Sequence, residues 1–432
     1  MGNVSGKLLR IWAALLLAGG ARAQIPELQV PETVTSPLPV PGVVKPGGDL
    51  VSGLDGAADR TLQRLAGARV ARIEGLTRTH RAELDRDPAG ELVVRAEVVA
   101  IDITEAALKL ALEKQFLLKR TQELAELGVK ISILQTPEGW TARRGLKELR
   151  KLDPAGTYDY NHIYLDGGGS AAPAPAAPAV AEGPRGKGRV GLVDGGVDGG
   201  HQVFRGLKLQ RFGCDGSIVP DAHGTAVAAI LANNTAVEEI YAADVYCGAP
   251  TGGAIDRVVT ALAWLVRERV GVINISLVGP RNALLERAVN ALVARGFLVV
   301  AAVGNDGPSA PPLYPASYAG VVGVTAVDGD HRVLVEACRG EQVDFAARGA
   351  DMKAATRAPD VYGAVRGTSF AAPLVAALMV EELAAPDVAA RDRALEKWTR
   401  AARDLGKRGR DDIYGAGELG ALPETVAEGS NK

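Results

Sequence analysis

The stretch Gly-Thr-Ser-Phe-Ala-Ala-Pro, residues 367–373, decides how this chain is interpreted. It places Ser369 directly before an apolar run that continues to Met379, and Pro373 fits such a run only within the first turn of a helix. A serine at the start of a buried helix lies beside free backbone N–H groups and the positive end of the helix dipole. An attacking serine needs this setting, because negative charge develops beside it in the transition state. A plain N-cap followed by a core helix is the alternative.

Two earlier segments carry partners for such a serine. Residues 189–198 form an apolar run that ends in Asp194 and is followed by glycines, which indicates a buried strand delivering a carboxylate to the edge of an α/β sheet. A nucleotide-binding turn is the alternative, but the spacing G-x-G-x-x-G is absent. Within residues 221–230, His223 opens an apolar helix. The remaining histidines lack this context and are interpreted as structural: His80, His162, His201 and His331.

In this chain order, Asp194, His223 and Ser369 resemble the triad of the subtilisin-like serine proteases. The family's histidine motif, His-Gly-Thr, is matched by residues 223–225, and its serine motif, Gly-Thr-Ser-x-Ala-x-Pro, by residues 367–373. The aspartate motif departs from the family, because Asp-Gly-Gly stands where Asp-Thr-Gly or Asp-Ser-Gly is usual. That change removes a hydroxyl and keeps the carboxylate. The resemblance covers roughly residues 187–420.

Three further segments are similar to motifs of the same family: 302–305, 314–317 and 343–347. The resemblance implies that Asp194 orients His223 and that His223 acts as base and then as acid toward the leaving amine. It also implies that the Asn305 side chain and the Ser369 backbone N–H hold the oxyanion. Without the triad, Asn305 would be interpreted as a plain turn residue in Gly-Asn-Asp-Gly-Pro.

The region around these motifs alternates between apolar strands and helices. We predict strands over 188–193, 240–245, 270–275, 297–302, 320–327 and 342–346, and helices over 223–232, 254–268, 282–295 and 370–384. Several strands are apolar on both faces, which is typical of parallel strands covered by helices on each side. The predicted fold class is therefore α/β, a mostly parallel, subtilisin-like sheet with helices on both faces, preceded by a small α+β ferredoxin-like propeptide domain.

That small domain is expected over residues 49–166. Its pattern predicts a strand over 93–101, a helix over 105–127 that Gly128 ends, a half-exposed strand over 129–133, a helix near 143–152 and a strand over 160–164. This layout before a subtilisin-like domain resembles the family's propeptide, which implies an intramolecular inhibitor that also aids folding. We expect it to be released by cleavage within residues 164–187, a flexible tether that proteases can enter. An unrelated N-terminal binding domain is the alternative.

The two ends of the chain and the segment between the domains differ in composition from the rest. Residues 1–23 combine early basic residues, a short apolar run and a small-x-small cleavage site, which predicts a secretion signal; a membrane anchor is the alternative, but the run is too short to span a bilayer. We further predict a Pro-rich leader over 24–48, a Gly/Ala/Pro-rich linker over 167–186, a catalytic domain over 187–422 and a polar tail over 423–432. The expected location is secreted or periplasmic, with no membrane anchor after signal removal.

The net charge and the cysteine content indicate which binding partners and which disulfide to expect. The net charge of −2, without a basic block, gives no reason to expect a nucleic-acid partner. Cys214 and Cys247 flank a predicted strand and are the preferred disulfide pair, and three free thiols including Cys338 are the alternative. The chemistry is expected to need no cofactor. Family members often bind calcium, but no acidic loop identifies a metal site.

These observations predict a secreted serine endopeptidase that hydrolyses polypeptides through an acyl-enzyme and is made as an autoprocessed precursor. A non-catalytic protease-like binding protein is the alternative, although no triad residue is lost. A lipase or esterase is disfavoured because the elbow G-x-S-x-G is absent.

The segment Ser276, Leu277, Val278 and Gly279 resembles the family's substrate-binding strand, which pairs with the substrate backbone and walls the primary pocket. Val278 stands where the family commonly has glycine. If its stiff, branched side chain points inward, the pocket is narrow and small residues are preferred before the scissile bond. If it points away, the pocket is unaffected. No acidic residue is assignable to the pocket base, so a preference for Lys or Arg is not expected.

Overall fold

The computed structural model describes residues 67–167, the backbone of 169–173, and residues 184–420. The predicted signal peptide, leader and polar tail lie outside these ranges, as does much of the predicted linker. The part of the linker that is described contains a strand, Gly169–Pro173.

The smaller, N-terminal domain has a five-stranded antiparallel sheet and helices packed on it. Its elements are helix α1, which includes residues 67–79, and then β1 (Leu84–Arg86), β2 (Leu92–Ile101), α2 (Glu105–Glu113), β3 (Leu117–Leu124), β4 (Val129–Gln135), α3 (Ala142–Leu152) and β5 (Thr157–His162). Strand β2 pairs with β1, β4 and β5, and β4 also pairs with β3. From β2 onward the order is β-α-β-β-α-β, the order found in ferredoxin-like domains.

The predicted helix over 105–127 is wrong beyond Glu113. Helix α2 ends there, Gln115 adopts a left-handed φ of 66°, and the chain returns as β3. Strand β3 pairs along its length with β4, and the Thr121 and Ser132 hydroxyls lie 2.9 Å apart across the pair. Cross-strand hydrogen bonding therefore replaces the helical bonds that the local sequence would also allow.

The prediction that β4 is half-exposed is also wrong. Leu134 packs on one side with Ala107 and Ala111 of α2. Val129 and Ile131 pack on the other side against helices of the larger domain. The sheet is thus covered on both faces, and a strand in that position is almost wholly buried.

Two short strands connect the domains: β6 (Leu165–Asp166) and β7 (Gly169–Pro173). The larger domain follows with a seven-stranded sheet ordered β15-β14-β13-β11-β8-β10-β9. Its strands are β8 (Gly188–Asp194), β9 (Lys208–Phe212), β10 (Val237–Asp244), β11 (Val272–Ile275), β13 (Leu298–Ala302), β14 (Val321–Val327) and β15 (Phe345–Arg348). All neighbours run parallel, which confirms the predicted parallel sheet of the α/β domain.

Helices cover both faces of this sheet. They are α4 (Ala222–Ala232), α5 (Ile255–Arg267), α6 (Ala283–Ala294), α7 (Thr368–Met379) and α8 (Val388–Ala401). Val193 faces the core that contains α5 and α6, whereas its neighbour Leu192 faces the core that contains α4 and α7. Strands buried on both faces explain the continuous apolar runs of the sequence.

Three shorter strands lie outside the main sheet: β12 (Leu277–Val278), β16 (Met352–Ala355) and β17 (Tyr362–Arg366). Strand β12 pairs with β6, and β17 pairs with β16 and β7. The segment between the domains is thus held by strands of the larger domain. In the described part of the chain, no helix combines the length and apolar character needed to cross a bilayer.

Candidate active site

A buried carboxylate and an imidazole meet at the carboxyl edge of the parallel sheet. Asp194 is the last residue of β8, between β10 and β11, and is fully buried. Its two carboxylate oxygens lie 2.9 and 3.1 Å from Nδ1 of His223, so that nitrogen carries the proton and donates it. His223 is set in the first turn of α4, whose N-cap Asp221 accepts hydrogen bonds from the N–H groups of His223 and Gly224 at 2.8 and 3.0 Å.

Ser369 is the second residue of α7 and is fully buried. Its hydroxyl donates to the backbone carbonyl of Ser276 at 3.2 Å, and the Ser276 hydroxyl donates back to the carbonyl of Ser369 at 2.9 Å. Among the described residues, Nε2 of His223 is buried without a hydrogen-bond partner. The imidazole lies close to the start of α7, with its ring centroid 5.3 Å from that of Phe370, the residue after Ser369, but the imidazole and the Ser369 hydroxyl are not hydrogen-bonded to each other.

Asn305 lies in the loop after β13. Its Oδ1 accepts from the backbone N–H of Thr368 at 3.0 Å, while its Nδ2 is buried and has no partner in the described part of the chain. The loop is fixed by Gly304, whose N–H donates to the Thr368 hydroxyl at 3.2 Å and whose φ is +104°. A Cβ at Gly304 would lie only 2.5 Å from Leu313, so the turn needs glycine.

The end of the N-terminal domain lies across this site. A Cβ placed on Gly167 would be 3.1 Å from Oγ of Ser369 and 3.5 Å from Nδ2 of Asn305. The preceding residue, Asp166, is held by Arg72, which donates to its carboxylate at 2.6 and 3.1 Å and to its backbone carbonyl at 2.9 Å.

The closed site changes the proton affinity of its groups. Burial alone would lower the pKa of His223, but the charges of Asp194 and Asp166 and the hydrogen bond that the imidazole donates to Asp194 raise it to about 9. Burial would raise the pKa of Asp166, but Arg72 and His223 outweigh that effect and lower it. The N-terminal domain thus adds a negative charge that favours the protonated imidazole.

Three of the sequence-predicted site residues, Ser369, Asn305 and Val278, lie around Gly167, and Asp194 and His223 are hydrogen-bonded to each other. The predicted substrate-binding residues Ser276, Leu277, Val278 and Gly279 run alongside β6. The Val278 side chain is buried and its Cγ1 would lie 3.7 Å from a Cβ on Gly167, so it points toward the site.

Four residues that the N-terminal domain contributes to the site were not predicted from the sequence: Arg72, Tyr164, Asp166 and Gly167. The run of glycines at 167–169 was assigned to the linker and to the segment in which cleavage is expected, with no single residue singled out. His162, interpreted as structural, is buried between the domains, with Nε2 3.2 Å from Asp87 and Nδ1 accepting from Asn282 at 2.9 Å.

The cysteines lie outside the site or are buried behind it. A disulfide joins Cys214 and Cys247, and Cys338 is a free, buried thiol beside Gly304. Within the described ranges, one group of three acidic, histidine or cysteine side chains brings its ligand atoms together, namely Cys214, Asp244 and Cys247. Because calcium prefers oxygen ligands and both of these sulfurs are in the disulfide, this group does not fit a calcium ion.

Comparison with known proteins identifies the family. Residues 189–417 match Peptidase_S8, the subtilase family. Subtilisin DY of Bacillus licheniformis is 32% identical over 207 residues, which cover 44% of this chain and 73% of that protein. Subtilisin BL of Lederbergia lenta is 37% identical over 166 residues, covering 36% of this chain and 61% of that protein. The minor extracellular protease Epr of Bacillus subtilis (strain 168) is 30% identical over 213 residues, covering 49% of this chain but only 30% of that protein.

A solved structure extends the similarity of fold. Fervidolysin from Fervidobacterium pennivorans, a keratinolytic enzyme related to subtilisin, superposes with a TM-score of 0.62 at 18% identity. The superposition covers 77% of this chain and 61% of fervidolysin, and at this identity it speaks for the fold alone. Together with the match over residues 189–417, these similarities show that the chain belongs to the subtilase family of subtilisin-like serine proteases.

Proposed function

We propose that this protein is a serine endopeptidase that uses Asp194, His223 and Ser369 and is made as a precursor that cleaves itself. One observation carries the proposal. Two buried polar atoms, Nε2 of His223 and Nδ2 of Asn305, lack hydrogen-bond partners among the described residues in a site that also holds a buried serine. Buried polar atoms are normally paired, and unpaired ones at a site often await a ligand. A base and an oxyanion donor are the groups that peptide hydrolysis needs there.

The proposed reaction uses the side chains already named. The Ser369 hydroxyl turns from Ser276 toward His223, and its oxygen attacks the substrate carbonyl carbon as Nε2 takes the proton. Asn305 Nδ2 and the Ser369 N–H donate to the oxyanion. The C–N bond then breaks, and His223 returns the proton to the leaving amine. Water hydrolyses the acyl-enzyme, which releases a carboxylate and restores the serine hydroxyl. Asp194 keeps Nδ1 protonated and stabilises the imidazolium.

The N-terminal domain is proposed as the intramolecular inhibitor, because its end blocks the nucleophile and its sheet packs on α5 and α6. Leu127, Val129 and Ile131 share one buried cluster with residues of both helices. Ion pairs surround that cluster: Arg120 with Asp256, Arg287 with Asp102 at 2.6 Å, and Arg267 with Glu126 at 3.4 Å. The exposed pairs contribute little, so apolar burial supplies most of the attraction.

The same domain also places hydrogen-bond acceptors at the first turns of two helices of the larger domain. Asp159 accepts from the N–H of Ala283, the first residue of α6, at 2.8 Å. Helix α5 has no side-chain cap from its own N-cap residue, and Asn161 accepts from the N–H of Asp256 in its first turn at 3.5 Å. Free N–H groups at a helix start favour such acceptors, and a carboxylate also interacts with the helix dipole. These contacts support a role in folding as well as in inhibition.

The test compares the wild type with Ser369→Ala. Wild-type precursor should convert to a smaller form by cleavage within 164–187, label with a fluorophosphonate and digest casein. Ser369→Ala should fold, stay full length, fail to label and fail to digest casein, because the attacking oxygen is gone. A second sample of the Ser369→Ala precursor receives a trace of mature wild-type enzyme. Cleavage of that sample within 164–187 would show that the segment is accessible, so that the lack of self-cleavage reflects the missing hydroxyl. Equal cleavage of casein by both proteins would overturn the proposal.

The proposed location is outside the cytoplasm, either secreted or periplasmic. It rests on the predicted signal peptide over residues 1–23 and on the relative whose name describes an extracellular protease. Polypeptides are the proposed substrates, and no cofactor takes part in the proposed steps. Fractionation of cells that express the Ser369→Ala chain, followed by N-terminal sequencing of the exported precursor, checks the location, because this variant should keep the N-terminus left by signal removal.

A further inference from the structure

We propose that this protease cleaves after glycine, that it cuts its own chain after Gly167, and that Val278 restricts the primary pocket to that residue. The inference rests on the proposed function and deepens it by naming the substrate class. It is carried by the strand register on both sides of Gly167 and by the space around its Cα.

The register on the amino-terminal side fixes which carbonyl meets the nucleophile. Strand β6 pairs antiparallel with β12, so that Asp166 lies opposite Leu277 and Leu165 lies opposite Val278. Continued by one residue, this register would set Gly167 opposite Ser276, whose carbonyl accepts from the Ser369 hydroxyl. The Ser369 hydroxyl accordingly lies beside Gly167, with Oγ 3.1 Å from the position of a Cβ on that residue.

The register on the carboxyl-terminal side agrees. Strand β7 pairs antiparallel with β17, with Gly169 opposite Arg366 and Ser170 opposite Val365. Arg366 is three residues before Ser369, so the chain resumes pairing just beyond the nucleophile. Three peptide bonds lie between Asp166, the last residue of β6, and Gly169, the first of β7. The 3.1 Å distance between Oγ of Ser369 and the Cβ position of Gly167 selects among them the bond whose carbonyl belongs to Gly167.

The space around Gly167 explains why this residue is glycine. A Cβ there would be 3.1 Å from Oγ of Ser369, which is tighter than nine in ten contacts that Cβ atoms make in proteins, and would also touch Val278 at 3.7 Å. Alanine would therefore have to displace the nucleophile by some tenths of an ångström. A larger side chain would meet the branched, buried Val278, which has one favoured rotamer and cannot easily move.

Tyr164 anchors the segment and fixes this register. It is 1% exposed, and its hydroxyl donates to the carbonyl of Pro280 at 2.5 Å. Its own N–H donates to Gly253 at 2.8 Å, and its carbonyl accepts from the Tyr246 hydroxyl at 2.8 Å. A Cβ on Gly279 would lie 2.6 Å from the tyrosine ring, so the pocket is shaped around an aromatic residue. The substrate class is a polypeptide with tyrosine three positions before the glycine.

The experiment measures kcat/KM on internally quenched peptides that copy residues 161–173 with Gly, Ala or Phe at position 167. We expect the Gly peptide to be cleaved fastest and the Phe peptide about 10–100-fold more slowly, since overpacking has costs of this size. For the Val278→Gly enzyme, the ratio of kcat/KM on the Phe peptide to kcat/KM on the Gly peptide should be at least about tenfold higher than for the wild type. Val335→Gly is the matched control, because Val335 is 53% exposed, and it should leave the ratio as in the wild type.

The precursor gives an independent readout. N-terminal sequencing of the mature wild-type form should begin at residue 168. Gly167→Phe should slow conversion, and adding Val278→Gly should restore it. Cleavage of casein and of the peptides mainly after Phe, Tyr or Lys would overturn the glycine inference while leaving the proposed function intact. Failure of the wild type to cleave any of these substrates would instead overturn the proposed function.

Discussion

Replacing Asp166 by Asn should make the precursor cleave itself at lower pH. In the closed precursor the pKa of His223 is about 9, and the charge of Asp166 is one of its causes. A general base accepts a proton only when it is neutral, so self-cleavage needs a pH near or above that pKa. Asp166→Asn removes a negative charge beside the imidazole, which lowers the pKa of His223 and raises its neutral fraction at neutral pH.

The size of the wild-type effect follows from the pKa of about 9. A base with that pKa is about 1% neutral at pH 7 and half neutral at pH 9. Wild-type self-cleavage should therefore accelerate about 50-fold between these two pH values and level off above them. In Asp166→Asn the midpoint should move to lower pH, so the gain in rate should be large at pH 7 and small at pH 9.

The assay is a pH jump. Precursor is purified at pH 6, where His223 is protonated, and its conversion is followed on gels after transfer to buffers between pH 6 and 10. Arg72→Gln is the matched control, because it breaks the same ion pair but keeps the charge of Asp166. Its midpoint should not fall. An unchanged midpoint in Asp166→Asn, or an equal fall in Arg72→Gln, would refute the electrostatic reasoning.

Three further changes test other parts of the structure. Asn305→Ala should lower kcat on peptides by about 10²–10³-fold, the loss known for an oxyanion donor in subtilisin, with KM little changed. Changing Cys214 and Cys247 to Ser should lower the free energy of unfolding by about 3–4 kcal/mol, since the disulfide closes a loop with a sequence separation of 33; non-reducing thermal melts check this. Asp159→Ala should weaken docking of the N-terminal domain by about 1.5–3 kcal/mol through its lost bond to Ala283. Hydrogen exchange in the first turn of α6, measured on the Ser369→Ala precursor, should then speed up.

The parallel sheet was predictable because its central strands are apolar on both faces. Each predicted strand of the larger domain overlaps an observed one, although the run predicted over 342–346 is shifted to Phe345–Arg348. Strand β9, Lys208–Phe212, was not predicted. It lies at the sheet edge, pairs with β10 and is largely exposed, and its sequence has no apolar run that would have indicated a strand.

Prediction from the local sequence pattern failed where the same residues could form either a helix or a strand. The segment 105–127 contains no glycine or proline, and helix propensity alone would continue it to Gly128. The left-handed turn at Gln115 and the pairing of β3 with β4 depend on a partner strand that the local sequence does not reveal.

The motifs predicted which side chains meet at the site, and long-range register determined the rest. Asp194 and His223 are hydrogen-bonded as expected, but the Ser369 hydroxyl donates to Ser276 and not to His223. The orientation of Val278 was open in the sequence. The pairing of Leu165 and Asp166 with β12 is what brings Gly167 next to the Val278 side chain.

If the precursor cleaves itself as proposed, the shared core of the two domains would make that activation a one-way process. Val129 and Ile131 of the N-terminal sheet are buried against α5 and α6 and have no cover of their own on that side. Once cut loose, the domain would carry an uncovered apolar face, and a small domain that loses half its core is unstable. An unstable chain opens to proteolysis, so the liberated enzyme would digest its former inhibitor. Once the inhibitor domain is destroyed, it cannot bind the enzyme again. Activity would then spread from the first freed enzyme molecules to the remaining precursors.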